Sequence, residues 1–161
     1  MEHLMNSALL GIGATAVTDL WAIARRRWLG VPAPDFGLVG RWIAHMPRGR
    51  FRHERIAAAA AVRGERVAGW AAHYLIGIAF AALLLSMSGM DWMRHPTLWP
   101  ALLFGMVTVL APFLLMQPGM GAGIAASRTP RPGAARLQSL ITHAFFGLGL
   151  YASAVVVSSL P

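Results

Sequence analysis

The chain has no cysteine and no lysine, and only six of its 161 residues are acidic. Without thiols, disulfides, zinc fingers and thiol catalysis are excluded, and the redox compartment is not legible. Charged residues make up 12% of the chain against 57% hydrophobic, with a mean hydropathy of +0.56. That leaves too little polar surface to coat a water-soluble domain of this length. All 14 basic residues are arginine, giving a net charge of +8. Beside long apolar runs, such arginines set membrane topology, so no nucleic-acid partner is expected. No P-loop pattern and no c-type haem attachment motif occur. The serine-rich end, 153–159, has no histidine or acid at catalytic spacing, so nucleophilic hydrolysis is unsupported.

Four apolar stretches are long enough to cross a bilayer as helices, at 4–24, 67–87, 98–116 and 137–157. The expected fold is therefore all-α, a polytopic membrane protein of four transmembrane helices forming one domain over 1–161. No positive charge precedes the first run, whereas Arg25, Arg26 and Arg27 follow it, which marks a span rather than a cleavable signal. Ten arginines lie between spans one and two, three between spans three and four, and only Arg94 elsewhere. This asymmetry predicts that both long loops are cytoplasmic, and that both termini and the 88–97 turn face the periplasm, or the outside in a one-membrane cell. Trp28, Trp70, Trp92 and Trp99 sit at predicted span ends, the interfacial habit of tryptophan.

Within the long loop 25–66, Phe36-Gly-Leu-Val-Gly-Arg-Trp-Ile-Ala-His45 has apolar residues near helical spacing between Pro34 and Pro47. It reads as a short helix lying in the inner headgroup layer. Arg41, Arg48, Arg50 and Arg52 are candidate contacts for anionic lipid or another phosphate, each worth about 1 kcal/mol near an anionic surface. The glycine-rich Pro118-Gly-Met-Gly-Ala-Gly123 follows a membrane helix rather than a strand, so it reads as a turn or a close packing point rather than a dinucleotide loop.

Arg66-x6-His73-x3-Gly77 recurs as Arg136-x6-His143-x3-Gly147 at a constant offset of seventy, with Ala82 and Ala152 in the same register. Both segments enter from the same side, which predicts a duplicated two-helix hairpin, that is, two parallel repeats. Each histidine lies on an i±4 stripe of mostly small residues: Gly69, His73, Gly77, Ala81 and Ser139, His143, Gly147, Tyr151. Such stripes mark helix–helix contacts.

Counted from the flanking arginines, Asp19, His73 and His143 come about 9–11 Å inside the membrane, with Gln117 just below. An intramembrane ionisable group costs roughly 2.5–3.5 kcal/mol, so this polar layer is a functional candidate. It suits a proton- or cation-linked gate, a transition-metal site of two imidazoles and a carboxylate, or bis-histidine haem ligation. Alternatively, Asp19 pairs with Arg25 or Arg26, and the histidines bond nearby backbone or hydroxyl groups. On the other side, Met87, Met90, Met93 and His95 have thioether spacing that copper(I) uses, though methionine is also common filler in apolar spans. Thr97 is a candidate N-cap for the third span. Pro112 inside that span predicts a kink.

Five stretches carry a resemblance: Gly11-Ile-Gly-Ala-Thr-Ala-Val-Thr-Asp19-Leu-Trp21, Gly40-Arg-Trp-Ile-Ala-His45-Met-Pro-Arg-Gly-Arg-Phe51, Ala72-His-Tyr-Leu-Ile-Gly77, Arg94-His-Pro-Thr97 and Gln117-Pro-Gly-Met-Gly-Ala-Gly-Ile-Ala-Ala-Ser-Arg-Thr-Pro130. They resemble a family of small bacterial inner-membrane proteins known as a domain of unknown function, DUF2938. The resemblance covers nearly the whole chain and implies a four-span, single-domain membrane protein, with no activity attached. The leading functional expectation is a transporter-like or channel-like protein, working as a homo-oligomer, most simply a dimer. A haem- or metal-binding redox module and an accessory subunit of a membrane complex are the rivals.

Overall fold

A computed structural model describes residues 1–159. The ordered elements are helical, and no strand occurs among the described residues. Four helices are long and apolar enough to cross a membrane.

The first, α1 (Glu2–Leu29), runs past the expected end at Ala24, because arginine is a good helix former and Arg25, Arg26 and Arg27 simply continue the turn. It stops at Gly30, which takes the left-handed conformation with φ of 65°, and Pro32 follows. The short helix α2 (Phe36–His45) forms where the apolar spacing predicts it, and the Asp35 carboxylate caps it by accepting from Gly37 N at 2.9 Å. The second crossing, α3 (Glu65–Arg94), is interrupted at Gly89, where φ is 77°. Beyond this break the chain stays helical, so the expected 88–97 turn is mostly a short helical arm. Trp92 and Met93 on that arm are buried.

The third crossing, Leu98–Met120, is irregular. Its first part, α4 (Leu98–Val107), starts at Thr97, which occupies the N-cap position but makes no side-chain capping bond. Pro112 lacks the N–H that would reach back to residue 108, and the ladder recovers through a π-helical turn over Pro112–Met116. Gln117 N then donates to Pro112 O, five residues back. The crossing ends as the short α5 (Gln117–Met120), and α6 (Pro132–Ser158) is the fourth.

The residues fall into two compact units. The first comprises Met1–Ala33, Tyr74–Thr108 and the described residues from Leu140 onward. Here α1, α3, α4 and α6 share one core containing Leu10, Ala14, Leu84, Leu85, Ala101 and Leu150. Close backbone approach at glycines builds two antiparallel helix pairs. A Cβ on Gly11 of α1 would stand 2.6 Å from Ile78 N of α3, and one on Gly105 of α4 would stand 2.6 Å from Gly147 N of α6. Only glycine permits either crossing. Gly149 meets Ala14 and joins α6 to α1, while Phe80 reaches Phe104 and Phe146 at centroid distances of 6.4 and 6.1 Å.

The second unit comprises Pro34–His73 and Val109–Ser139. In it, α2 packs on the start of α3, where Gly69 admits the Phe36 carbonyl and Gly40 admits that of Glu65. The arginine-rich loop is folded back on this pair rather than left extended. Trp42 Nε1 donates to Phe51 O at 2.9 Å, and His53 N donates to Gly119 O at 2.9 Å. Gly119 lies against the Trp42 indole, and Gly121, at φ of 96°, lies against the Glu54 carbonyl.

Candidate functional site

In the first unit, Asp19 and His143 each meet a hydroxyl from a facing helix. Tyr74 of α3 donates to Asp19 Oδ2 of α1 at 2.9 Å. His143 Nδ1 of α6 lies 2.8 Å from Thr108 Oγ1 at the end of α4. Thr108 also directs its hydroxyl at the Gly105 carbonyl. A hydroxyl has one proton, so with that proton on Gly105 O the ring nitrogen is the donor and Nε2 of His143 keeps its lone pair. Both pairs lie beside a glycine crossing. Tyr74 is three residues before Gly77, and Thr108 is three after Gly105. Around them Thr15 and Thr18 are buried, their hydroxyls bonded to Gly11 O and Thr15 O at 2.7 Å each. Trp21 of α1 stacks on Phe145 of α6 at 4.3 Å, joining the two pairs. Arg25 turns away along its own chain, its guanidinium donating to Pro32 O at 3.2 Å.

The other two members of the expected polar layer belong to the second unit. His73 stacks on Phe36 at a centroid distance of 4.0 Å, and Trp70 meets it edge-on at 5.9 Å. Gln117 Nε2 is 3.5 Å from Ser139 Oγ, while its Oε1 is buried with no partner. A buried carbonyl without a donor is uncommon and marks Gln117 as a polar position in search of one. Sequence reasoning missed Tyr74 and Thr108. Helical spacing from Gly77 and Gly105 was the available signal, since it puts both hydroxyls on the faces that meet a partner helix.

Among the described residues, no group of three or more His, Asp or Glu side chains is placed to hold a metal ion. Of the thioether set, Met93 is buried in the core, Met90 packs partly against it, and Met87 and His95 are exposed.

The four arginines considered for anion contact are not alike. Arg41 makes a two-pronged pair with Glu65 at 2.7 and 2.8 Å and also donates to Ala57 O and Ala59 O at 3.3 and 3.2 Å. Its hydrogen bonds to Glu65 hold the guanidinium above its ordinary range. Glu65 Oε2 in turn accepts from Val62 N, so the pair ties down the end of the loop. Arg48 donates to Ala44 O at 3.3 Å, and Arg50 and Arg52 are exposed. An open cleft of about 630 Å³ lies here, lined by Arg50, His53, Glu54, Arg55, Ala58 and Ala59.

Comparison with known proteins identifies one family: the model described as "Protein of unknown function (DUF2938)" matches residues 8–157, and the chain belongs to that family. No curated protein and no solved structure matches it.

Proposed function

We propose that this membrane protein handles an ion or a small molecule through polar groups set inside its helix pairs, as a transporter-like or channel-like protein. The observation that carries the reading is the carboxylate of Asp19, hydrogen-bonded by Tyr74 at 2.9 Å from a facing helix, six residues inside the first flanking arginine. A carboxylate at that depth costs roughly 2.5–3.5 kcal/mol, which makes it a functional candidate by default. His143, bonded to Thr108, supplies a second titratable group on the other helix pair. His73 and Gln117 are assigned to the same function from their sequence depth.

In this reading the two pairs, α1 with α3 and α4 with α6, descend from one duplicated hairpin, and Gly77 and Gly147 occupy equivalent positions. The chain lies in the bacterial inner membrane with both termini periplasmic, and two copies associate.

The test is proton flux into vesicles that hold the purified protein and a trapped pH-sensitive dye. An imposed pH gradient is expected to collapse with the unaltered protein. Asp19→Asn and His143→Ala are expected to slow the collapse by on the order of tenfold or more, and Tyr74→Phe by less. Equal rates in all four proteins would remove the proposal.

A further inference from the structure

The loop between α2 and α3 holds a site that the polar layer does not use. Arg50 and Arg55 line the open cleft of about 630 Å³ from two positions on that loop, together with His53 and Glu54. Unlike Arg41 and Arg48, neither guanidinium has a protein acceptor among the described residues. The backbone that carries them is nevertheless pinned. Arg50 N donates to His45 O at 3.3 Å, His53 N to Gly119 O at 2.9 Å and Ala58 N to Arg55 O at 3.0 Å, while the Ile56 side chain is buried. His45 is 5% exposed, holds Ala60 O through Nε2 at 3.1 Å and meets the His53 ring edge-on at 5.1 Å. His53 Nε2 is buried with no partner. Two unengaged guanidinium groups on a held backbone make an anion site in which only the side chains have conformational freedom left to lose on binding.

We infer that the cleft lined by Arg50, His53, Glu54 and Arg55 binds a phosphodiester of net charge −1, one whose headgroup carries no compensating cation. Two guanidinium groups against one carboxylate leave a single net positive charge. A polyphosphate would meet Glu54 repulsion and lack counter-charge, whereas one phosphodiester is matched. Guanidinium forks suit its two unesterified oxygens. The source is either the headgroup of a lipid in the surrounding bilayer or a soluble phosphodiester. Phe51, 60% exposed and next to Arg50 in the chain, offers an apolar contact suited to the first.

Native mass spectrometry of the detergent-solubilised full chain, titrated with phosphatidylglycerol and separately with phosphatidylcholine, tests this. The expected result is preferential retention of phosphatidylglycerol. Weakening by on the order of tenfold is expected in an Arg50→Gln, Arg55→Gln double variant, and no change in Arg63→Gln, an exposed arginine of the same loop that does not line the cleft. Glu54→Gln is expected to bind more tightly, an outcome that damage to the fold does not produce. Equal retention of the two lipids, an unaffected double variant, or equal losses in the double variant and Arg63→Gln would each overturn the site. Displacement by acyl-free glycerophosphoglycerol assigns a soluble source, and failure of that headgroup to compete assigns a lipid.

Discussion

Ala125 and Ala126 adopt φ of 47° and 59°, which a side chain with a Cβ reaches only at a cost of about 1–2 kcal/mol per residue. The segment accepts that cost because its neighbours leave little choice: Ala122 N is bonded to Gln117 O, Arg128 N to Ala122 O, and Arg136 Nε to Ala125 O, each at 2.8 Å. Ala126 is buried, so its methyl contributes packing, whereas Ala125 is only half-buried. Ala125→Gly is therefore expected to stabilise the protein by up to about 1 kcal/mol, read as a higher melting temperature in detergent. Single-residue readings from the sequence had mixed fortunes for a physical reason. Asp19 and His143 stand out because ionisable groups are rare in apolar helices. Their partners Tyr74 and Thr108 do not, since a hydroxyl is unremarkable until the facing helix is known. The strain at Ala125 has no sequence signature, because alanine gives no warning of positive φ.

At the scale of elements, the helices were legible from length and hydropathy, and α2 from its spacing between Pro34 and Pro47. What escaped was how helices end or deform. Gly89 breaks α3 without stopping helix formation beyond it, and Pro112 yields a π-helical turn whose register cannot be read from one proline. Read from the sequence, Arg41 is a candidate anion contact, whereas in the fold it binds Glu65 and two carbonyls and so closes the loop onto the start of α3. Charge counting cannot tell an arginine that meets solvent from one that meets a carboxylate. Arg41→Gln keeps a hydrogen-bonding side chain but removes the fork. It is expected to raise proteolytic cleavage within 46–64 several-fold under native conditions, while Arg63→Gln leaves cleavage unchanged. Limited proteolysis followed by mass mapping checks this.

At the scale of the whole molecule, the lack of cysteine makes topology simple to test, since one introduced thiol has no background. Thr97 and Ser127 are both exposed and lie in different connections. In spheroplasts, a membrane-impermeant thiol reagent is expected to label Thr97→Cys at once and Ser127→Cys only after permeabilisation, as the arginine asymmetry requires. The opposite pattern would invert the orientation. The contacts of Gly119 and Gly121 with Trp42, His53 and Glu54 also carry a consequence for biogenesis. On the ribosome the arginine-rich loop emerges first, and two membrane crossings must follow before its partners exist. Until the third crossing is in place, the Trp42 indole lacks its Gly119 cover and the His53 N–H lacks its acceptor. The arginine-rich loop thus stays open until the third crossing is made, and a chain arrested after α3 presents quality control with an uncovered tryptophan beside a cluster of arginines.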